Sequence, residues 1–240
     1  MNPTTLPKPI VNLAHARQDI TRQREFDPTR ARYAFAAALL PDPTPGALPA
    51  DIGGGAGEFC VIARERGYAT TLVDGNPNSV ANELARGAAA LRTDLTLGLP
   101  DLADESFDAV VSLEVIEHIV PAELLLAEMA RVLKPGGVLI LSTPNFGFIK
   151  DRLQYLRGGD AKEEGYHFRF YTRAKLEAMV HAAGLVIEER QSLGSALGVN
   201  WLLRMATFGR VRIPQFACPA WCESWLAMTF AWRLRKPLHE

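Results

Sequence analysis

Short apolar runs that favour β-strands alternate with amphipathic runs of helical period through the middle of the chain. Residues 107–113 are apolar enough for a central strand of a parallel sheet. Residues 122–134 place their apolar side chains mostly on one stripe, as a helix packed on a sheet does. This alternation predicts a doubly wound α/β sheet with right-handed crossovers. The predicted strands are 47–52, 70–74, 89–92, 107–113, 138–142, 185–191 and 230–236, and the predicted helices are 58–66, 77–86, 122–134 and 173–183.

The two ends of the chain depart from this alternation. Residues 1–45 predict a loose arm and a cap helix over 18–40, interrupted near Asp27 and Pro28. Residues 46–194 form the predicted core, and residues 195–240 an aromatic and basic segment with the last strand. This end segment contains all four tryptophans. It suits a lid over an apolar substrate, an interfacial patch, or an insertion packed on its own domain.

Composition and charge limit the classes of protein. The 240 residues are 48% hydrophobic and 22% charged, which is typical of a globular domain rather than a disordered chain. A formal net charge of −1 gives no overall attraction to nucleic acid or to an anionic membrane. The low, odd number of cysteines and the lack of an apolar leader or spanning run lead us to expect a cytoplasmic protein.

A glycine-rich turn follows the first predicted strand. The segment Asp51-Ile52-Gly53-Gly54-Gly55-Ala56-Gly57 has the form D-x-G-x-G-x-G and precedes a helical run. A pyrophosphate-binding fingerprint has the form G-x-G-x-x-G instead. The acid in front of the turn suits a ligand that carries positive charge. A tight turn without a ligand is the other interpretation.

A second acid follows at the end of the next predicted strand. Asp74 lies 23 positions after Asp51, close to the roughly 20 residues expected for an acid that binds ribose hydroxyls. Its alternative role is a helix cap before Pro77. Because ligands of open α/β sheets bind beyond the carboxyl ends of the strands, we expect Asp51, Asp74, Asp94 and the Leu113-Glu114 pair to converge on one crevice.

Taken together, these motifs resemble class I S-adenosylmethionine-dependent methyltransferases. The resemblance rests on the glycine turn, Asp74, and the segments Arg92-Thr93-Asp94-Leu95, 106–114 and 131–137, in order over roughly residues 48–190. It implies a single-domain, Rossmann-like, seven-stranded sheet, mostly parallel with one antiparallel edge strand at 230–236. It also implies S-adenosylmethionine as cofactor and S-adenosylhomocysteine as product.

The resemblance also assigns roles around the cofactor. Asp51 and the turn glycines should hold the methionine part, and Asp74 the ribose. The remaining positions should meet the adenine or the sulfonium. The full cofactor set is Asp51, Gly53, Gly55, Gly57, Asp74, Gly75, Asn76, Asp94, Leu95, Leu113 and Glu114.

The candidate catalytic residues lie in segments 112–118 and 166–173. Three interpretations remain open. His118 or His167, with Glu117, serves as a general base for a hydroxyl acceptor; or Glu114, Glu117, His118 and His167 bind a divalent metal; or the histidines are structural. The metal set resembles metal-dependent 2′-O-methyltransferases that act on the 3′ ends of small RNAs. Some quinone-pathway O-methyltransferases share the first segment. A divalent metal therefore stays an open alternative, and we assign no residue to one.

We therefore predict a methyltransferase for a hydroxyl oxygen of a small or lipid-like acceptor. One alternative is a metal-dependent RNA 2′-O-methyltransferase, although nucleic acid is not the partner we expect. Another comes from segments 142–147 and 152–159, which resemble a methyltransferase-like partner protein of methionine biosynthesis. Peripheral membrane contact through the aromatic and basic end segment is a further open partner.

Overall fold

The structure, a computed structural model, describes residues 31–44, 46–159, 167–194, 206–207, 210, 216–217 and 221–238. The predicted arm and the first part of the predicted 18–40 helix lie outside these residues. So do Tyr166, Trp201, Cys218 and half of the aromatic and basic 195–240 segment. Among the described residues, no helix is long and apolar enough to cross a membrane.

One sheet organises the described residues. Its members in chain order are β1 (Pro49–Ile52), β2 (Thr71–Asp74), β3 (Ala89–Arg92), β4 (Phe107–Leu113), β5 (Leu133–Pro144), β6 (Val186–Arg190), β7 (Leu193–Gly194), β8 (Phe216–Ala217) and β9 (Ala227–Arg235). The spatial order is β3-β2-β1-β4-β5-β9-β7-β8, and β6 also pairs with β9. Strands β1 to β5 are mutually parallel, whereas β9 runs antiparallel to β5, β6 and β7.

The predicted doubly wound, mostly parallel sheet is confirmed. Strands β6 and β7 are consecutive segments on the same side of β9, so the sheet has seven principal positions, and β8 adds a short pairing beyond β7. The antiparallel strand does not take the edge position that the sequence analysis gave it, because β9 lies between β5 and β6. Paired on both sides, β9 buries Phe230, Trp232 and Leu234 completely.

Helices cover both faces of the sheet. They are α1 (Ala31–Leu39), α2 (Glu58–Glu65), α3 (Pro77–Ala85), α4 (Ala122–Val132), α5 (Ile149–Leu156), α6 (Arg173–Ala182) and α7 (Glu223–Leu226), with 3₁₀ turns at Leu95–Leu97 and Ile116–His118. Side chains of α4 and α6 pack on one face against Leu139 and Leu141. Side chains of α1 and α2 pack on the other face against Val138 and Ile140. This alternation along β5 is the two-residue period of a strand buried on both faces.

A buried polar cluster fixes the last strand behind the crevice. Glu223 is fully buried, and its Oε1 accepts a 2.6 Å hydrogen bond from Nε1 of Trp232 and another from the hydroxyl of Ser192. Nδ2 of Asn145 donates to the carbonyl oxygen of Ala227 at 2.8 Å. Buried polar groups need such partners, since an unpaired one costs about 1–3 kcal/mol. The cluster joins α7 and the start of β9 to the carboxyl end of β5.

Candidate active site

The glycine turn begins where β1 ends. Gly53 and Gly55 have φ angles of 73° and 59°, in the left-handed region that favours glycine. A Cβ at Gly53 would lie 2.6 Å from a side-chain methyl of Val115, whereas no described atom lies within 4 Å of the Cβ position of Gly55. Gly53 therefore allows close packing of the chain, and Gly55 leaves open space at the crevice.

Asp74 joins this turn to the next βα connection. The amide of Gly55 donates a 2.9 Å hydrogen bond to Oδ2 of Asp74, and the amide of Asn76 donates a 2.7 Å bond to Oδ1. The cap of α3 is Asn76, whose Oδ1 accepts from the amide of Asn78 at 2.9 Å. The helix-cap role that was open for Asp74 thus belongs to Asn76. The carboxylate of Asp74 is held at the end of β2, where the ribose prediction needs it.

Asp51 lies inside an acidic environment. It is only 3% exposed, and the thiol of Cys60 donates to its Oδ2 at 3.6 Å. Burial, together with the smaller effect of the negative charges of Asp74, Glu58 and Glu83, raises the pKa of Asp51 to about 8 against the lowering effect of the Cys60 hydrogen bond. Burial also raises the pKa of the Cys60 thiol, which keeps it a neutral donor. A cation placed here would favour the ionised carboxylate.

The first helix closes this side of the crevice. Arg32 and Tyr33 of α1 line one small cavity with Asp51, segment 53–56, Glu58 and Leu113. Arg32 donates from Nη2 to the Tyr33 hydroxyl at 3.2 Å, and its buried Nε has no hydrogen-bond partner among the described residues. The sequence analysis did not select Arg32. Arg32 is far from the glycine turn in the sequence, so no motif indicates it, and only the packing of α1 on α2 brings it to this cavity.

Three other predicted cofactor residues differ in what their positions contact. Leu113 lines the cavity, and Gly75 packs against the carbonyl oxygen of Thr93, with 3.3 Å from its Cβ position. Gly57 begins α2, where its Cβ position lies 2.7 Å from Oε2 of Glu83, so it serves the contact between α2 and α3.

Asp94 and Leu95 lie at the 3₁₀ turn that follows β3. Asp94 is exposed and caps this turn by accepting from the amide of Thr96 at 2.9 Å. Leu95 is buried in the core. Their predicted contact with the adenine edge stays a prediction.

Glu114 has an unusual backbone. Its φ angle of 58° is one of two positive values among the described non-glycine residues. The hydroxyl of Ser142 donates to Oε1 of Glu114 at 2.9 Å, and the amide of Glu114 donates to the Ser142 carbonyl oxygen at 3.1 Å. A left-handed non-glycine residue costs about 1–3 kcal/mol and persists where its surroundings hold it. Here β5 holds it, since Leu113 and Ser142 are paired in register.

Glu117 is the centre of the candidate catalytic cluster. It is 1% exposed, and its Oε2 accepts a 3.0 Å hydrogen bond from the hydroxyl of Thr143. Its Oε1 lies 3.9 Å from Nε2 of His118 and has no hydrogen-bond partner among the described residues. Burial raises the pKa of Glu117 to about 8, with a further contribution from the charge of Glu114.

The chain brings His167 to the same point from a distant segment. The amides of Phe168 and Arg169 donate to the carbonyl oxygen of Glu117 at 2.9 and 3.1 Å. The hydroxyl of Tyr171 donates to the carbonyl oxygen of Ile116 at 3.3 Å. As a result, the rings of His118 and His167 lie edge to face with their centroids 4.8 Å apart.

This cluster is also compatible with a metal ion. One carboxylate oxygen of Glu117 and one ring nitrogen each of His118 and His167 lie within 4.8 Å of one another. Imidazole and carboxylate are ligands that zinc and other divalent metals accept. Within the described residues, this group does not include the fourth proposed ligand, Glu114, whose Oε1 accepts the Ser142 hydroxyl instead.

Comparison with known proteins decides the family. A model of a methyltransferase domain matches residues 21–190. The chain belongs to this methyltransferase family. The predicted class I S-adenosylmethionine-dependent methyltransferase is thereby confirmed, with S-adenosylmethionine as its methyl donor and S-adenosylhomocysteine as its product.

Individual relatives agree with this assignment. The methyltransferase is 28% identical over 203 residues to a ubiquinone biosynthesis O-methyltransferase of Xanthomonas campestris, covering 80% of this chain and 82% of that protein. A probable S-adenosylmethionine-dependent methyltransferase of Mycolicibacterium smegmatis is 36% identical over 88 residues, 37% of this chain and 32% of that protein. The fold matches a chain from the complex of the Haloferax volcanii Trm112 methyltransferase activator with a methyltransferase. That match has a TM-score of 0.65 at 21% identity and covers 95% of this chain and 98% of the other.

Proposed function

We propose that this methyltransferase transfers the methyl group to a hydroxyl oxygen of a small or lipid-like acceptor. The cluster of Glu117, His118 and His167 at the crevice carries the proposal. A hydroxyl group is a weak nucleophile until it loses its proton, and a positioned base contributes about 10²–10⁴-fold to the rate. Two imidazoles beside a buried carboxylate offer that base.

S-adenosylmethionine supplies an activated methyl group on a positively charged sulfur. His118 or His167 takes the proton of the acceptor hydroxyl as the oxygen forms its bond to the methyl carbon. The carbon–sulfur bond breaks, its electron pair stays on sulfur, and the products are the methyl ether and a neutral thioether. Oε1 of Glu117 lies 3.9 Å from Nε2 of His118. The positive charge of the imidazolium that forms favours the ionised carboxylate of Glu117, which in turn stabilises the imidazolium.

The charges around the glycine turn support S-adenosylmethionine as the donor of the methyl group. The negative charges of Glu58 and Asp74 lie around Asp51 at the glycine turn, and this environment attracts a cationic sulfonium more than the neutral thioether product. The relative of Xanthomonas campestris is named as an O-methyltransferase of ubiquinone biosynthesis, and it aligns with 80% of this chain. That relationship supports oxygen as the acceptor atom and a lipid-like acceptor class.

The test uses S-adenosylmethionine with a labelled methyl group and a fractionated extract of the source cells. We expect label in the organic or small-molecule fraction, unchanged by a chelator, and loss of this label with Glu117→Gln. Label on a nitrogen or carbon atom of the purified product would contradict oxygen transfer. Cofactor binding without transfer to any fraction would favour a cofactor-binding partner protein.

A second candidate is metal-assisted transfer by the same cluster. Its specific support is the 4.8 Å grouping of Glu117, His118 and His167 donor atoms. A divalent metal would supply a positive charge that acidifies the acceptor hydroxyl, and these three side chains would hold it. Loss of transfer with a chelator and its return with one added divalent metal would support this candidate. Label in RNA that disappears with chelator would support the RNA 2′-O-methyltransferase alternative.

A further inference from the structure

Large apolar side chains are exposed around one end of the crevice. We call this surface the apolar rim and define it by Leu153, Tyr155, Leu156, Phe170, Trp221 and Trp225. Leu156 and Trp221 are 83% and 84% exposed. Helix α5, whose eight residues are all described, has no buried side chain. Exposed apolar surface of this kind marks an interaction site when it is contiguous.

Contacts through Phe146 and Arg152 connect Tyr155, Phe170 and Trp225 of the apolar rim. Phe146, just after β5, has its ring 5.6 Å from that of Tyr155 and 4.6 Å from that of Phe170. The guanidinium of Arg152 lies 4.1 Å from the ring centre of Trp225. The same guanidinium donates from Nε to the carbonyl oxygen of Gly147 at 2.5 Å. Helix α5, the 167–171 segment and α7 are therefore joined into one surface.

The described segments that carry the apolar rim contain more basic than acidic residues, although the chain has a net charge of −1. Segment 149–157 contains three basic residues and one acid, and segment 167–175 contains three basic residues and no acid. Arg169 and Arg173 are paired with Glu123 and Glu177, whereas Lys150 and Arg157 are exposed. The one acid of the 221–228 segment, Glu223, is fully buried.

The apolar rim places tryptophan, tyrosine and leucine beside lysine and arginine. This composition is typical of a surface that binds a lipid interface. Aromatic rings settle at headgroup level, aliphatic side chains enter the acyl boundary, and basic groups are attracted to anionic headgroups. We propose that the apolar rim docks this methyltransferase on the surface of an anionic lipid bilayer. The charge complementarity of Lys150 and Arg157 with acidic headgroups selects this occupant over an uncharged partner.

The position of the rim explains what such docking would achieve. Phe170 of the rim comes three residues after His167, and its ring lies 4.6 Å from that of Phe146. Phe146 in turn comes three residues after Thr143, which holds Glu117. The rim therefore borders the catalytic cluster, and an acceptor dissolved in the bilayer could reach the histidines without crossing water. This purpose rests on the proposed function, whereas the docking itself does not depend on it.

The experiment measures co-sedimentation of the full chain with vesicles, without cofactor or acceptor. One set of vesicles is phosphatidylcholine, and the other contains added phosphatidylglycerol. We expect binding to the second set. It should be weakened at least about tenfold in the Leu153→Ser/Leu156→Ser variant, because two aliphatic side chains no longer enter the bilayer. The matched control is Leu84→Ser/Leu238→Ser, which removes leucines that are 54% and 74% exposed elsewhere, and it should bind as the wild type does.

A charge variant separates the apolar contribution to vesicle binding from the electrostatic one. Lys150→Glu/Arg157→Glu should lose the gain from phosphatidylglycerol, and raised salt should do the same. Wild-type protein that stays in the supernatant with both vesicles would overturn the proposal, as would a rim variant that binds normally. A wild-type dimer in light scattering that the rim variant abolishes would assign the surface to a second copy instead. Vesicle binding that persists while no acceptor is methylated would refute only the proposed function.

Discussion

The amide of Gly55 and the carboxylate of Asp74 are joined by a 2.9 Å hydrogen bond, although they belong to different βα connections. The bond links the turn after β1 to the end of β2. The other oxygen of Asp74 accepts from Asn76, so both carboxylate oxygens are oriented by backbone amides. The residue predicted to hold the ribose is thus also part of the support of the glycine turn.

Replacing Asp74 should therefore weaken cofactor binding. We expect Asp74→Ala to raise the dissociation constant of S-adenosylmethionine at least about tenfold, since charge-assisted hydrogen bonds contribute about 1.5–3 kcal/mol. Titration calorimetry measures it, with the exposed Asp101→Ala as the control. An unchanged dissociation constant would remove the ribose assignment.

A pair of glycines tests whether the turn contacts the cofactor. Gly55 and Gly87 have φ angles of 59° and 75°, and no described atom lies within 4 Å of either Cβ position. Alanine at either position should cost about 1–2 kcal/mol of the free energy of unfolding through the backbone alone. Only Gly55→Ala should also weaken cofactor binding, because its methyl group would enter the crevice. Equal cofactor affinity of the two variants would place the cofactor elsewhere.

The buried Asp51 predicts a pH dependence of stability. Its pKa in the folded protein is raised from 3.8 to about 8, so the folded state keeps a proton that the unfolded chain releases above about pH 4. The free energy of unfolding should therefore fall as pH rises from about 4 to about 8. In Asp51→Asn, which does not titrate, urea unfolding should show a smaller fall, the remainder coming from Glu117. Identical slopes in both proteins would contradict the raised pKa.

Cofactor binding should respond to the same group with the opposite sign. The predicted neighbour of Asp51 is the cationic end of the methionine part, which favours the ionised carboxylate. Affinity should rise from about pH 6 to about pH 7.5, by at most about tenfold per pH unit, while the amino group of the cofactor stays protonated. Asp51→Asn should bind more weakly and lose this dependence. A wild-type affinity that does not vary with pH would separate Asp51 from the cofactor.

The rate of methyl transfer tests whether His118 acts as a base. We expect His118→Ala to lower the rate of methyl transfer by about 10²-fold or more with little change in cofactor affinity, because it removes a base and not a cofactor contact. The control is His181→Ala, which changes an exposed histidine in the last turn of α6. Activity equal to the wild type would return His118 to a structural role.

Local pattern was sufficient for the strands and helices of the core. The continuous apolar run of β4 is typical of a strand buried on both faces, and the apolar stripe of α4 has the period of a helix packed on one side. Both patterns therefore predict their own conformations. The position of β9 in the sheet was missed, since a strand segment does not encode which strands pair with it. Helix α5 was also not predicted, because its apolar side chains are exposed rather than directed to the core.

The candidate site was predictable where a motif carries it. The glycine turn, Asp74 and the two histidine segments were selected from the sequence, and the structure brings each to the crevice. Ser142 and Thr143 were not assigned roles, because their partners are defined by strand pairing rather than by spacing. Arg32 was missed for a similar reason: only the packing of α1 against α2 brings its guanidinium to the cavity.

Ser142 and Thr143 are consecutive residues of one strand, so their side chains point to opposite faces of the sheet. Ser142 continues the series of Val138 and Ile140, which faces α1 and α2, and Thr143 continues that of Leu139 and Leu141, which faces α4 and α6. The serine holds Glu114 and the threonine holds Glu117. The end of β5 thus holds, on opposite faces of the sheet, one acid predicted to contact the cofactor and one proposed to act on the acceptor. We therefore expect substitutions on the face of Thr143 to change which molecule is methylated more than they change cofactor binding.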